Sequence, residues 1–134
     1  MIKHLPFLIS GTIIGMLLFQ SICIAPAINT LIGTEQASIL LRHIWPQFFL
    51  IIALLSIASY LLIVKSHRQQ VKPKYYALFS FLLMMICFFA VPTINHAKDV
   101  NNQALWTILH LGTMVFTLVA LVLHTLTLFQ WKFK

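Results

Sequence analysis

Charge is scarce in this sequence: Asp, Glu, Lys and Arg make up 8% of it, and only Glu35 and Asp99 are acidic. A soluble domain carries about 25% charged residues. A chain of 134 residues that is 60% hydrophobic has no way to hide that much apolar surface from water, so lipid is the solvent it fits. Catalytic signatures are missing as well. There is no GxSxG, GxGxxG or Walker loop, and no carboxylate lies inside an apolar run to serve a carboxylate-based proton relay. The two cysteines form no CxxC pair, and no repeat or low-complexity segment is visible. The expectation is a non-enzymatic integral membrane protein with a single domain spanning residues 1–134.

Four continuous apolar runs are present, at about residues 5–25, 46–64, 75–91 and 105–129. Each is close to the ~20 residues that cross a hydrocarbon core as a helix. Helices satisfy their own backbone groups where lipid offers no partners, and the runs lack the alternating polarity of a membrane barrel. The predicted fold is all-α, a polytopic four-transmembrane-helix bundle. Pro26 is expected to stop the first helix, Pro46 to sit in the first turn of the second, and Pro92 to end or kink the third. Trp45 and Trp106 would mark one interface, and Tyr60, Tyr75, Tyr76 and Trp131 the other.

The net charge of +7 does not describe a nucleic-acid patch, because the cations cluster at span ends rather than over a soluble surface. Lys3, Lys65, Arg68, Lys72, Lys74, Lys132 and Lys134 fall on one side; Arg42 and Lys98 fall on the other, with both acidic residues. Seven cations against two predict that the first side, with both termini, is cytoplasmic. A bacterial inner membrane is the expected location and the lipid bilayer the first partner. The basic turn at 65–74 reads as a topology signal, with contact to anionic headgroups as the alternative. The first run, with Lys3 before it and Ala25-Pro26-Ala27 after it, resembles a signal peptide. Its apolar stretch exceeds the usual 7–15 residues, so a retained helix is expected. In the longest link, 26–44, Thr34 is expected to cap a short surface helix with Glu35 in its first turn.

Polar residues inside the runs are the candidates for function. Gly11 and Gly15 form GTIIG, a small-xxx-small pair that lets helix backbones approach; the partner, an internal helix or a second protomer, is open. On the fourth run His110, Thr113, Thr117, Ala120 and His124 recur every three or four residues and share one face. That stripe is expected to face the bundle interior and to form interhelical hydrogen bonds, because a histidine facing lipid is unfavourable. His110 is expected to point inward, with Gln20, Gln47, Thr113 or a trapped water as partner, and to be the residue most worth mutating. His110 and His124 lie fourteen residues apart, about 21 Å along the axis, too far to share one metal ion.

Sorting by depth gives a second group. Cys23, Cys87 and His110 lie a little inside the non-cytoplasmic surface and His43 and His96 at its edge, with Met84, Met85 and Met114 at similar depth. Thiolate, thioether and imidazole are ligands for soft ions such as Cu(I); simple packing and a Cys23–Cys87 disulfide are the alternatives. A bis-histidine haem would need His43 with His110.

Three segments resemble the transmembrane-protein-205-like family of four-helix membrane proteins, whose bacterial members are known as a domain of unknown function. They are the first helix with Gly15 and Pro26, the run Ile44-Trp45-Pro46-Gln47-Phe48-Phe49, and His110-Leu111-Gly112-Thr113, together with Pro92. Gly112 is displaced by one position from the family pattern, Thr113 and Thr117 stand for Ser and Asn, and Phe49 replaces a tyrosine. A weaker likeness is to copper-resistance D-type membrane proteins. The resemblance implies a compact bundle without an established reaction, and its eukaryotic relatives' link to drug and platinum tolerance points to soft metals or export. Three functions therefore stand: a bundle acting by packing, as a homo-oligomer or as an accessory subunit of a membrane complex; a transporter or tolerance factor for a soft metal or an apolar drug; and a haem- or quinone-binding protein.

Overall fold

Residues 4–66 and 70–132 are described by the structure, a computed structural model. Their chain runs α1 (Leu5–Phe19), a single π turn (Gln20–Ile24), α2 (Ala25–Leu31), α3 (Thr34–Ser66), α4 (Val71–Asp99) and α5 (Gln103–Gln130). Four helical stretches are long and apolar enough to cross a membrane, the first of them Leu5–Leu31 taken as one. The chain is a multi-pass integral membrane protein that folds as an all-α four-helix bundle. α4 packs along both α3 and α5, and α1 rests against α5 and α3.

The prolines do not end the helices. Pro26 would clash with the carbonyl four residues before it in a regular helix. The π turn just ahead, where the Ala25 N–H reaches back to the Gln20 carbonyl, opens the spiral by one residue and lets the helix continue to Leu31. Pro46 and Pro92 lie inside α3 and α4. Each removes one ladder hydrogen bond, which a membrane bundle tolerates where neighbouring groups take over the freed carbonyl.

The expected links therefore shrink. Thr34 does begin a helix with Glu35 in its first turn, but that helix is the start of α3 itself and not a separate surface element. Between α4 and α5 only three residues intervene. Asn101 takes a left-handed conformation with φ 55°, which asparagine tolerates, and its N–H donates to the Lys98 carbonyl. Asn102 then caps α5 by accepting the Leu105 N–H at 3.1 Å.

The core is a column of Ile13, Leu17, Phe49, Ile52, Leu83, Met84, Cys87 and Val91, with Ala53 and Ala120 where helices come close. Two further contacts fasten the ends. Arg42 of α3 grips Asp99 of α4 through both carboxylate oxygens. At the opposite end, Gln70 Nε2 donates to the Lys132 carbonyl at 2.8 Å. Trp131, expected in an interfacial belt, is instead buried beside Phe7, with ring centroids 6.4 Å apart. Of the terminus-side cations, Lys3, Arg68 and Lys134 lie outside the described residues.

Candidate functional site

At the centre of the bundle each membrane span contributes one polar side chain to a single cluster. His124 of α5 is fully buried. Its Nδ1 lies 3.2 Å from Ser10 Oγ of α1. Its Nε2 lies 3.0 Å from Ser80 Oγ of α4 and 3.2 Å from Ser56 Oγ of α3. Ser56 and Ser80 close the ring at 3.2 Å. All three serines are fully buried as well.

The chemistry of the four groups matches. A neutral imidazole donates from one nitrogen and accepts at the other, and a hydroxyl does both. Either tautomer can be answered by rotating the serine hydroxyls, so the ring satisfies both its nitrogens without water. In a span, where an unmet polar group costs several kcal/mol, this cluster ties four helices to one register.

Six threonine hydroxyls behave differently. Thr12, Thr30, Thr113, Thr117, Thr125 and Thr127 all donate to a carbonyl three or four residues earlier on their own helix. Bonding of that kind satisfies the hydroxyl but joins nothing. Thr113 and Thr117 do lie on the inward stripe, Thr113 being buried, yet their hydroxyls do not cross to another helix as expected. Ser59 Oγ and Gln20 Nε2 are buried without a hydrogen-bonding partner.

His110 is placed differently from His124. It is half-buried, and its ring lies flat on Trp106 of its own helix, with centroids 5.0 Å apart and planes 9° from parallel. Of the partners expected for it, Gln47 Nε2 is instead 3.0 Å from His43 Nε2, and the Thr113 hydroxyl donates to the His110 backbone carbonyl at 2.8 Å. The interior position on the stripe belongs to His124.

The soft-metal set does not assemble. Cys23 is exposed, Cys87 is buried in the core, and both thiols are free. His43 is matched with Gln47, His110 with Trp106, and His96 is exposed in the last turn of α4. No group of three His, Cys, Asp or Glu side chains able to hold a metal ion occurs among the described residues. A bis-histidine pairing of His43 with His110 finds no support either, since each has a local neighbour of its own.

Gly11 and Gly15 lie on the outward face of α1. Both are exposed, and a Cβ added at either would meet nothing within 4 Å. No helix of the same chain is therefore their packing partner.

Sequence reasoning passed over Ser10, Ser56 and Ser80. A signal was present: each lies inside an apolar run, and each is placed at a depth similar to that of His124.

Together these features define a small four-helix multi-pass membrane protein closed around a buried His–Ser cluster. The chain belongs to the family described as domain of unknown function DUF4149, which matches residues 8–98. No curated protein and no solved structure matches the chain.

Proposed function

We propose that this chain is a non-enzymatic membrane protein that acts by packing, through the outward face of α1, against a second copy of itself; an accessory role in a larger membrane complex would use the same face. One observation carries this reading: Gly11 and Gly15 form a small-residue surface turned away from their own bundle. On such a surface, backbones of two helices approach closely enough to gain van der Waals contact that lipid does not supply. The centre of the bundle supports it, because His124, Ser10, Ser56 and Ser80 are committed to one another. The likeness to transmembrane-protein-205-like bundles fits the same reading.

Placement in a bacterial inner membrane, with both termini cytoplasmic, belongs to this proposal and rests on the cation bias. A C-terminal reporter fusion active only in the cytoplasm is the expected outcome, and activity on the far side would overturn it. For association, Gly15→Ile is the test. Wild-type protein in a lipid nanodisc or mild detergent should sediment as a dimer, and Gly15→Ile as a monomer with an unchanged helical spectrum. A wild-type monomer, or a dimer indifferent to the substitution, would refute the α1 face.

A further inference from the structure

A shallow cleft of about 500 Å³ opens at the end of the bundle where α3 begins and α4 ends, lined by Thr34, Glu35, Ser38, Ile39, Arg42 and Lys98. The α3 residues recur at spacings of three and four and so share one face; Lys98 reaches them from the last turn of α4. Helix length sets the depth of this cleft. At 1.5 Å per residue α3 is about 50 Å long, against about 30 Å of hydrocarbon. Its first turns therefore stand at the level of lipid headgroups.

Four charges meet there; Asp99 is spent on Arg42, and the other three have capacity to spare. Arg42 spends two of its five N–H donors on Asp99. Lys98 Nζ lies over the Trp106 ring, 5.1 Å from its centroid, a contact that fixes the ammonium and leaves its N–H bonds free. Glu35 is exposed and has no ion pair of its own among the described residues. Ile39, between Glu35 and Arg42 on this face, is 66% exposed; the next turn inward carries the exposed pair His43 and Gln47, and beyond them Leu50 and Leu54 present exposed apolar side chains.

With Arg42 already paired to Asp99, the unpaired ammonium of Lys98, the spare donors of Arg42 and the unpaired carboxylate of Glu35, beside the exposed Ile39, complement a headgroup with a phosphate and a primary ammonium and the acyl chains attached to it. We propose that this cleft is a binding site for a phosphatidylethanolamine-type lipid, its phosphate on Lys98 and Arg42 and its ammonium on Glu35. A choline headgroup has no N–H to give to Glu35. An anionic glycerol headgroup would place no cation against that carboxylate. The site is independent of the glycine face on α1 and stands or falls separately from it.

The test uses delipidated full-length protein in mild detergent, with equimolar phosphatidylethanolamine, phosphatidylcholine and phosphatidylglycerol of identical acyl chains, read by native mass spectrometry. One ethanolamine lipid per chain should be retained in preference to the other two. Lys98→Gln should weaken its retention about tenfold, the scale of one charge-assisted contact. Glu35→Gln should keep the phosphate contact but abolish the preference for ethanolamine over choline. Both substitutions lie at exposed helix ends, and the ratio of lipids bound to folded protein does not depend on yield. Free phosphoethanolamine should not compete, because it lacks the acyl chains that would cover Ile39 and, farther in, Leu50 and Leu54. Equal retention of the three lipids, preference for the glycerol lipid, competition by the free headgroup, or variants that discriminate like wild type would each overturn the proposal.

Discussion

His110 and His124 occupy one face of one helix, yet their surroundings have little in common. His124 is fully buried and meets a hydroxyl from each of the other three spans. His110, fourteen residues earlier, is half-buried and stacks on a tryptophan of its own helix. Periodicity brings both residues to the same stripe, but it does not supply partners. A histidine enters the centre of this bundle where serines on facing helices stand at its depth, and otherwise rests at the edge on an aromatic ring. The comparison separates facing inward from being held there.

The largest expected effect is the contrast between their leucine substitutions. His124→Leu removes the contacts of His124 with Ser10, Ser56 and Ser80, leaving only the Ser56–Ser80 contact between helices, and should destabilise the protein by about 2–3 kcal/mol, allowing for partial rescue as the serines turn back to their own carbonyls. His110→Leu loses one stacking contact and should cost about 0.5 kcal/mol. Reversible unfolding in mixed micelles, followed by circular dichroism, measures both. Comparable losses would erase the distinction between the two histidines.

A smaller effect sharpens it. Ser80→Ala should cost about 1 kcal/mol, and in the His124→Leu background it should cost less, because only the Ser56–Ser80 contact is then left to lose, giving a coupling of about 0.5–1.5 kcal/mol in a double-mutant cycle. Additive losses would mean that the two residues do not act as a unit. The smallest effect has the opposite sign. Ser59 lies one turn from Ser56 and is equally buried, but its hydroxyl has no partner. Ser59→Ala should therefore be neutral or stabilising by about 0.5 kcal/mol, since it removes a desolvated polar group. A loss matching that of Ser80→Ala would show that Ser59 belongs to the network.

Much of the fold was legible from the residues, for a plain physical reason: a bilayer demands long apolar helices, and four such runs leave little choice. The ends of the helices were not legible. Proline rules drawn from water-soluble helices placed a stop at Pro26, an end or kink at Pro92 and a start at Pro46, whereas all three lie within helices. A π turn absorbs the first, and the membrane setting tolerates the others. At the site, the inward stripe on α5 was readable from spacing, and Thr113, Ala120 and His124 are buried on it. Which histidine is held at the centre depends on Ser10, Ser56 and Ser80, residues 114, 68 and 44 positions away in the chain. No local pattern carries that information. The soft-metal grouping failed similarly, because equal depth does not bring side chains together around a bundle.

The central claim is that His124 is locked inside the bundle by cross-helix hydrogen bonds while His110 is not. Solvent exchange of the imidazole N–H protons, read by nuclear magnetic resonance on histidine-labelled protein in nanodiscs, tests it most directly. The account predicts a protected His124 N–H whose exchange accelerates in Ser10→Ala or Ser80→Ala protein, beside a His110 N–H that exchanges quickly in all three. Equal protection of the two rings, or a His124 proton indifferent to loss of the serines, would contradict it.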